Sequence, residues 1–308
     1  MKQKLVIVAG PTASGKTGLS IEIAKHFNGE IIGADSMQIY KYMDIGTAKP
    51  TAEERAEVPH HMVDFLEPNE EYSVADYTEQ AHEVIAEIAS RGKLPVMCGG
   101  TGLYINSVAD DVTFGDFETN YELRDSLQTI AEKEGSQKLL DMLAEFDKTS
   151  AERLHPNNLR RIIRAIEFYK STGIPISEHQ RMTKEKESRY APIMVSIDWD
   201  RQELYDRINR RVDIMLEEGL FNEVKSLMDK GYTQALNSMK GIGYKEVIDC
   251  IEGRMSYEAT VELIKQSSRR YAKRQLTWFR RDKRIHWVSS RNPVEEAFEF
   301  IKGQLMNG

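Results

Sequence analysis

One short segment constrains this chain more than any other: Gly10, Pro11, Thr12, Ala13, Ser14, Gly15, Lys16 and Thr17 satisfy G-x-x-x-x-G-K-[ST] at every defined position. The segment follows the apolar run Leu5 to Ala9 and opens a helical pattern from Leu19 to His26, the strand-loop-helix context that separates a phosphate-binding loop from a chance Gly-Lys-Thr. Loop amides and the N-terminus of the helix would hold phosphate oxygens, Lys16 would reach the terminal phosphate, and the Thr17 hydroxyl would ligate Mg²⁺.

A chain with this loop needs a parallel sheet, and the sequence offers one. β-rich runs occur at Leu5 to Ala9, Ile31 to Ala34, Met62 to Phe65, Pro95 to Cys98, Ile193 to Ile197 and Ile285 to Val288. Runs such as Leu-Val-Ile-Val-Ala suit strands buried on both faces, and their alternation with helical segments predicts an α/β fold, a P-loop NTPase-like parallel sheet flanked by helices. From about Asn120 to Thr172 strand signals stop. Amphipathic helices follow, Leu159 to Lys170 among them, and a second helical block runs from Arg201 to about Arg281. The expected division is a core of 1–114 with 190–308, interrupted by an all-helical insertion at 115–189. Gly173, Gly219 and Gly231 fall where helices should end.

Composition excludes several classes. The two cysteines, Cys98 and Cys250, form no C-x-x-C pair or Cys/His cluster, so neither a zinc site nor a disulfide framework is indicated. No stretch approaches a membrane span, and the N-terminal apolar run is too short for a signal segment. The expectation is a cytoplasmic monomer. The net charge of −7 hides a basic stretch, Lys265 to Arg291, with one acid and with Tyr271, Trp278 and Trp287 interleaved. Basic side chains with aromatics suit single-stranded RNA; the alternative is a solvated basic face.

The loop alone does not fix the chemistry, because hydrolases, kinases and other transferases share it. A phosphoryl-transfer enzyme usually ends a buried strand in Asp to hold Mg²⁺. Here the corresponding run leads instead into Gly99-Gly-Thr101-Gly-Leu-Tyr104. A carboxylate does follow the second strand, at Asp35. Carboxyl ends of parallel strands face the ligand crevice, so Asp35 is expected there, with a helix N-cap as the competing reading.

Taken together, several motifs resemble those of the bacterial tRNA dimethylallyltransferases. They are the loop 10–17, Asp35-Ser-Met-Gln-Ile-Tyr40, Met43-Asp-Ile-Gly-Thr-Ala-Lys-Pro50, His60-His-Met-Val-Asp64, Gly99 to Tyr104, and His155-Pro-Asn157 with Arg161 and Arg164. Met239-Lys-Gly-Ile-Gly-Tyr-Lys-Glu246 and Lys273-Arg-Gln-Leu-Thr-Trp-Phe-Arg280 complete the set. The resemblance implies transfer of a dimethylallyl group from dimethylallyl diphosphate to N6 of the adenosine at position 37, next to the anticodon of tRNA. It implies Asp35 as general base, Lys16 and Thr101 as further catalytic residues, and the anticodon stem-loop as partner. Contacts to tRNA are implied for Asp35, Ser36, Met37, Gln38, Thr101, Arg124, Arg160, Arg161, Arg164, Lys240, Tyr244, Lys245, Lys273, Arg274, Gln275, Trp278 and Arg280. A small-molecule P-loop kinase, an adenylate isopentenyltransferase and a non-catalytic tRNA-binding protein are the rival readings. The first predicts ATP turnover, the second leaves the basic stretch without a use, and intact Lys16, Thr17 and Asp35 argue against the third.

Overall fold

The computed structural model describes residues 2–114 and 120–306. Two compact units result, 1–109 with 189–308, and 110–188. The expected start of the insertion at 115, and the chain end at 308, lie outside the described residues.

In the larger unit six strands form one all-parallel sheet: β1 (Gln3–Ala9), β2 (Gly29–Gly33), β3 (His60–His61), β4 (Leu94–Gly99), β5 (Tyr190–Asp198) and β6 (Ile285–Ser289), in the order β3-β2-β4-β1-β5-β6. Strand side chains alternate between faces, and β1 divides accordingly. Leu5, Ile7 and Ala9 enter one core with α3 (Val74–Ser90) and α4 (Gly102–Ala109). Val6 and Val8 enter the other with α1 (Lys16–His26) and α14 (Pro293–Met306). Burial on both faces is why the run carries no polar residue between Leu5 and Ala9; each fully buried Val, Leu or Ile contributes about 1.5–3 kcal/mol.

The third strand departs from expectation. It is only His60–His61, and the run from Met62 to Phe65 is not extended, because Met62 (φ 59°) and Asp64 (φ 62°) adopt the left-handed conformation that ends strand pairing. Between β2 and β3 lies the short α2 (Ala52–Glu57), closed by a Thr51/Glu54 capping box.

The second helical block folds with the sheet. It comprises α10 (Arg201–Glu217), α11 (Leu220–Asp229), a 3-10 turn at Ser238–Lys240, α12 (Tyr244–Ile251) and α13 (Tyr257–Phe279). A third core joins these helices to the segment after β2, through Ile39, Tyr40 and Met43 against Val212, Val224, Tyr244 and Ile264.

Among its described residues the smaller unit has helices and no strand: α5 (Tyr121–Glu134), α6 (Ser136–Ala144), α7 (Lys148–Arg153), α8 (Leu159–Thr172) and α9 (Ile176–Glu185) around Leu127, Leu139, Leu143, Ile162 and Ile166. Asp147 ties α7 to α9, its carboxylate accepting from Ser150 N–H (2.9 Å) and from the Ser177 hydroxyl (2.6 Å). Gly173 closes α8, while Gly219 and Gly231 flank α11, as expected at helix ends. No helix of the described residues is long and apolar enough to cross a membrane.

Candidate active site

The loop 10–17 leaves β1 at its carboxyl end, where the parallel strands open a crevice. Ala13 (φ 63°) and Gly15 (φ 87°) both take left-handed conformations, which turn successive amides toward one concavity. The loop is braced from distant elements. Thr12 N–H donates to Gln275 Oε1 on α13 (2.9 Å), and Gln275 Nε2 donates to Gly100 O (2.8 Å). Trp199 Nε1 donates to Ser14 O (2.9 Å) and Arg207 Nε to Ala13 O (2.9 Å), with the Arg207 guanidinium over the Trp199 ring. The glycines after β4 permit this approach: a Cβ at Gly100 would lie 2.3 Å from Gln275 Nε2, and one at Gly102 2.3 Å from the Trp278 ring. The motif Gly99 to Tyr104 is therefore shaped by α13 packing on it.

Beside the loop lies a cavity of about 380 Å³. Thr12, Lys16 and Thr17 meet Asp35, Arg211 and Tyr271 there, and Met37, Ile208, Val212, Met215, Ile242 and Ile264 supply apolar wall. Asp35 follows β2, and its Oδ1 accepts from Met37 N–H (3.0 Å) across a turn; no helix begins there, so Asp35 caps a turn and not a helix. Thr101 Oγ1 accepts from Ser36 N–H (3.0 Å), joining the ends of β2 and β4.

The electrostatics are those of an anion site. Burial lowers the pKa of Lys16, with Cys98 and Asp35 opposing the shift and Arg211 adding to it. Burial likewise lowers that of Arg211, again opposed by Asp35, and among the described residues no side chain hydrogen-bonds to this guanidinium. Both cations are partly exposed and face Asp35 across the cavity, with Glu218 and Glu54 acting on Arg211 from farther off. Burial, with Asp35 adding, pushes the Tyr271 phenol up to about 12, which keeps it a donor. No group of three or more His, Cys, Asp or Glu among the described residues has the spacing of a metal site. Protein oxygens at Thr17 and Asp35, completed by phosphate oxygens, match what Mg²⁺ accepts, since it keeps several waters and needs few protein ligands.

The other residues named from sequence divide into two groups. Lys240, Lys245 and Arg274 line the cavity; Lys273 is exposed on α13 beside Arg274, and Trp278 is exposed. Arg160, Arg161 and Arg164 are exposed on α8. Two residues are corrected. Tyr244 is 1 % exposed and donates to Glu223 Oε1 (2.7 Å), so its ring packs inside the third core. Gln275 is buried and spent on the loop brace. Arg124 forms a two-pronged ion pair with Glu167, a carboxylate with no exposed surface that would be left uncompensated without it. The basic stretch also carries less free charge than its composition implies: Lys265 pairs with Asp213 (2.6 Å), Arg280 with Asp198 (3.3 Å) and Arg284 with Asp282 (2.6 Å). Sequence reasoning missed Arg211 and Arg207, although their i, i+4 spacing on one helix was a usable signal.

Residues 38–282 match the sequence profile of the IPP transferase family. The chain belongs to that family. Its loop 10–17 falls outside the matched span but inside the relatives' alignments: the tRNA dimethylallyltransferase of Caldanaerobacter subterraneus subsp. tengcongensis is 49% identical, with 99% of each chain covered. That of Acetivibrio thermocellus is 50% identical, covering 92% of this chain and 91% of the relative. Among solved structures, the tRNA isopentenylpyrophosphate transferase of Bacillus halodurans superposes with a TM-score of 0.75 at 44% identity, covering 99% and 98% of the two chains. A eukaryotic dimethylallyltransferase acting on tRNA superposes at 0.82 with 29% identity, covering 94% of this chain and 74% of its own. In a family of transferases the anion site serves a leaving group as readily as a nucleotide.

Proposed function

We propose that this protein transfers a dimethylallyl group from dimethylallyl diphosphate to N6 of the adenosine at position 37, beside the anticodon of tRNA. The observation that carries the reading is a single cavity holding an unneutralised cation pair, Lys16 and Arg211, a carboxylate, Asp35, and an apolar wall. The relatives named for this reaction support it across the whole chain.

The C1–O bond of the donor breaks, and its electron pair leaves with the diphosphate. Loop amides, Lys16 and Arg211 receive that charge in a preorganised site. The N6 lone pair forms the new bond to C1, and Asp35 takes the proton that N6 sheds. The apolar wall beside Met215 and Ile264 shields the allylic carbon from water. Thr17, with Asp35 near, would hold Mg²⁺, which supplies further charge neutralisation to the diphosphate when bound. Arg160, Arg161 and Arg164, together with Lys240, Lys245, Lys273 and Arg274, neutralise tRNA phosphates, and the target base leaves its stack to reach Asp35. Two free cysteines favour a reducing, cytoplasmic compartment.

The test is to incubate the protein with unmodified tRNA and either labelled dimethylallyl diphosphate or labelled ATP. Label from the prenyl donor should move to tRNA, Lys16→Ala should abolish that transfer, and ATP should not turn over. Transfer of phosphate from ATP would replace this reading with a kinase.

A further inference from the structure

The segment between β2 and α2 supplies Asp35, Met37, Gln38, Gly46 and Thr47 to the cavity wall, yet residues 41–50 contain neither helix nor strand. Tyr42 (φ 65°) and Ala48 (φ 44°) sit in left-handed conformations. Irregular backbone of this kind holds one geometry only when outside groups satisfy it.

Glu223, on α11, is that outside group. Its Oε2 accepts from Asp44 N–H and Ile45 N–H (2.8 Å each), and its Oε1 from Gly46 N–H (3.1 Å) and the Tyr244 hydroxyl (2.7 Å). Three consecutive backbone amides thus converge on one carboxylate, an arrangement that binds anions tightly. Gly46 lies flat on the Tyr244 ring; a Cβ there would approach it to 2.5 Å. Beyond the clamp, the buried Lys49 ammonium reaches Asp44 (2.6 Å), Asp64 (2.7 Å) and Tyr40 O (2.7 Å).

The clamped segment in turn fixes a cavity side chain. Gln38 Nε2 donates to Thr47 O (3.1 Å) and to Ala48 O (2.9 Å), so both amide hydrogens are engaged by the segment that Glu223 holds. Two carbonyl partners also settle which end of the amide is nitrogen. Gln38 is left with Oε1, an acceptor only. An exocyclic amine carries two hydrogens; Asp35 removes one, and an acceptor three residues away matches the other. A 6-oxo purine offers neither.

We infer that Glu223 is a positioning residue for the acceptor base, acting through residues 44–48 to fix the Gln38 amide with its oxygen available to the N6 amine. The inference rests on the proposed function, and its test keeps the two apart. Single-turnover transfer with both substrates saturating, the tRNA KM, and displacement by inorganic diphosphate are measured for wild type, Glu223→Ala, Gly46→Ala, Gln38→Ala and the Glu223→Ala/Gln38→Ala double variant. Gly46→Ala pushes the loop off Tyr244 without touching the carboxylate.

Each single variant should slow transfer about tenfold, the effect of one hydrogen bond made at the reacting group, with diphosphate affinity unchanged within about twofold. Gln38→Ala should cost little more once Glu223 is gone, because a chain of dependence is non-additive. Multiplying penalties, or diphosphate affinity falling in step with rate, would overturn the inference while leaving prenyl transfer intact. Absence of transfer by wild type would overturn both. If Glu223→Ala does not fold, Tyr244→Phe keeps the ring packing and removes one bond; faster amide exchange at residues 44–46 with slower transfer supports the inference, and faster exchange with unchanged transfer refutes it.

Discussion

Replacing Asp35 by asparagine separates chemistry from architecture. Among the described residues the side chain accepts one hydrogen bond, from Met37 N–H at 3.0 Å, and asparagine accepts it equally well. Complete loss of that bond, as in Asp35→Ala, would cost roughly 0.5–1.5 kcal/mol of stability. Loss of a general base is larger and appears elsewhere: a rate factor of about 10² to 10⁴, equivalent to roughly 3–5 kcal/mol in the barrier. The charge change has a third consequence. Asp35 is a negative charge beside Lys16 and Arg211, so its neutralisation removes a repulsion against anions, and without Mg²⁺ the cavity should hold inorganic diphosphate at least as tightly. Asp35→Asn should therefore melt close to wild type, bind diphosphate with equal or higher affinity, and transfer the dimethylallyl group at least about a hundredfold more slowly. Single-turnover kinetics with saturating tRNA and donor, a thermal melt and a diphosphate titration measure the three quantities. A near-normal chemical rate, or diphosphate affinity falling together with the rate, would refute the assignment.

Arg211→Met removes a partly exposed guanidinium to which no described side chain hydrogen-bonds; the unliganded protein should melt no lower than wild type, while diphosphate affinity falls about 10- to 150-fold, the loss of a charge-assisted hydrogen bond. Replacing Lys273, which lies outside the cavity wall, by alanine should weaken tRNA binding and reduce its salt slope by about one, leaving diphosphate binding unchanged in the same titrations. Glu30, buried near the start of β2, is raised in pKa by burial but held down to about 2 by hydrogen bonds from Lys93, His61 and Arg91. Its folded pKa lies below the ordinary 4.5, so this contribution is present above pH 4.5 and lost as pH falls toward about 2. Glu30→Gln should forfeit up to about 3 kcal/mol at neutral pH, at about 1.4 kcal/mol per pH unit, and denaturant melts from pH 7 to 2 should show wild type converging on the variant.

Local chemistry made the strand-loop-helix around residues 10–17 legible, because one fixed spacing specifies the turn, the amides and the cation together. Helices with clear periodicity, such as α8, were equally open to reading. The third strand was misread because the β-forming run begins where the backbone turns left-handed at Met62 and Asp64, held by Lys49 and Arg55 from outside the run. Tyr244 was expected at the RNA only because the motif Met239 to Glu246 resembles the family's. Its partner, Glu223, is remote from that motif, and no local pattern marks a carboxylate that will meet three amides from another segment. Arg211 was passed over because an arginine on a charged helix has the composition of a solvated face, although its i, i+4 spacing from Arg207 marked one side of that helix. Residues that act through one another across the fold leave no signature in their own neighbourhoods.

The brace from Gln275 to Thr12 spans 263 positions of sequence. During synthesis, the phosphate loop emerges among the first residues, but its amides acquire this support only when α13 has been made and has docked against Gly100. A ribosome-bound chain that ends before residue 275 can pair β1 with β4 and still lack the supported loop. The same dependence is costly in loop closure and so belongs late in folding. In order of synthesis, Trp199 and Arg207 are available to Ser14 O and Ala13 O well before Gln275 is available to the Thr12 amide, so the loop gains its supports one at a time.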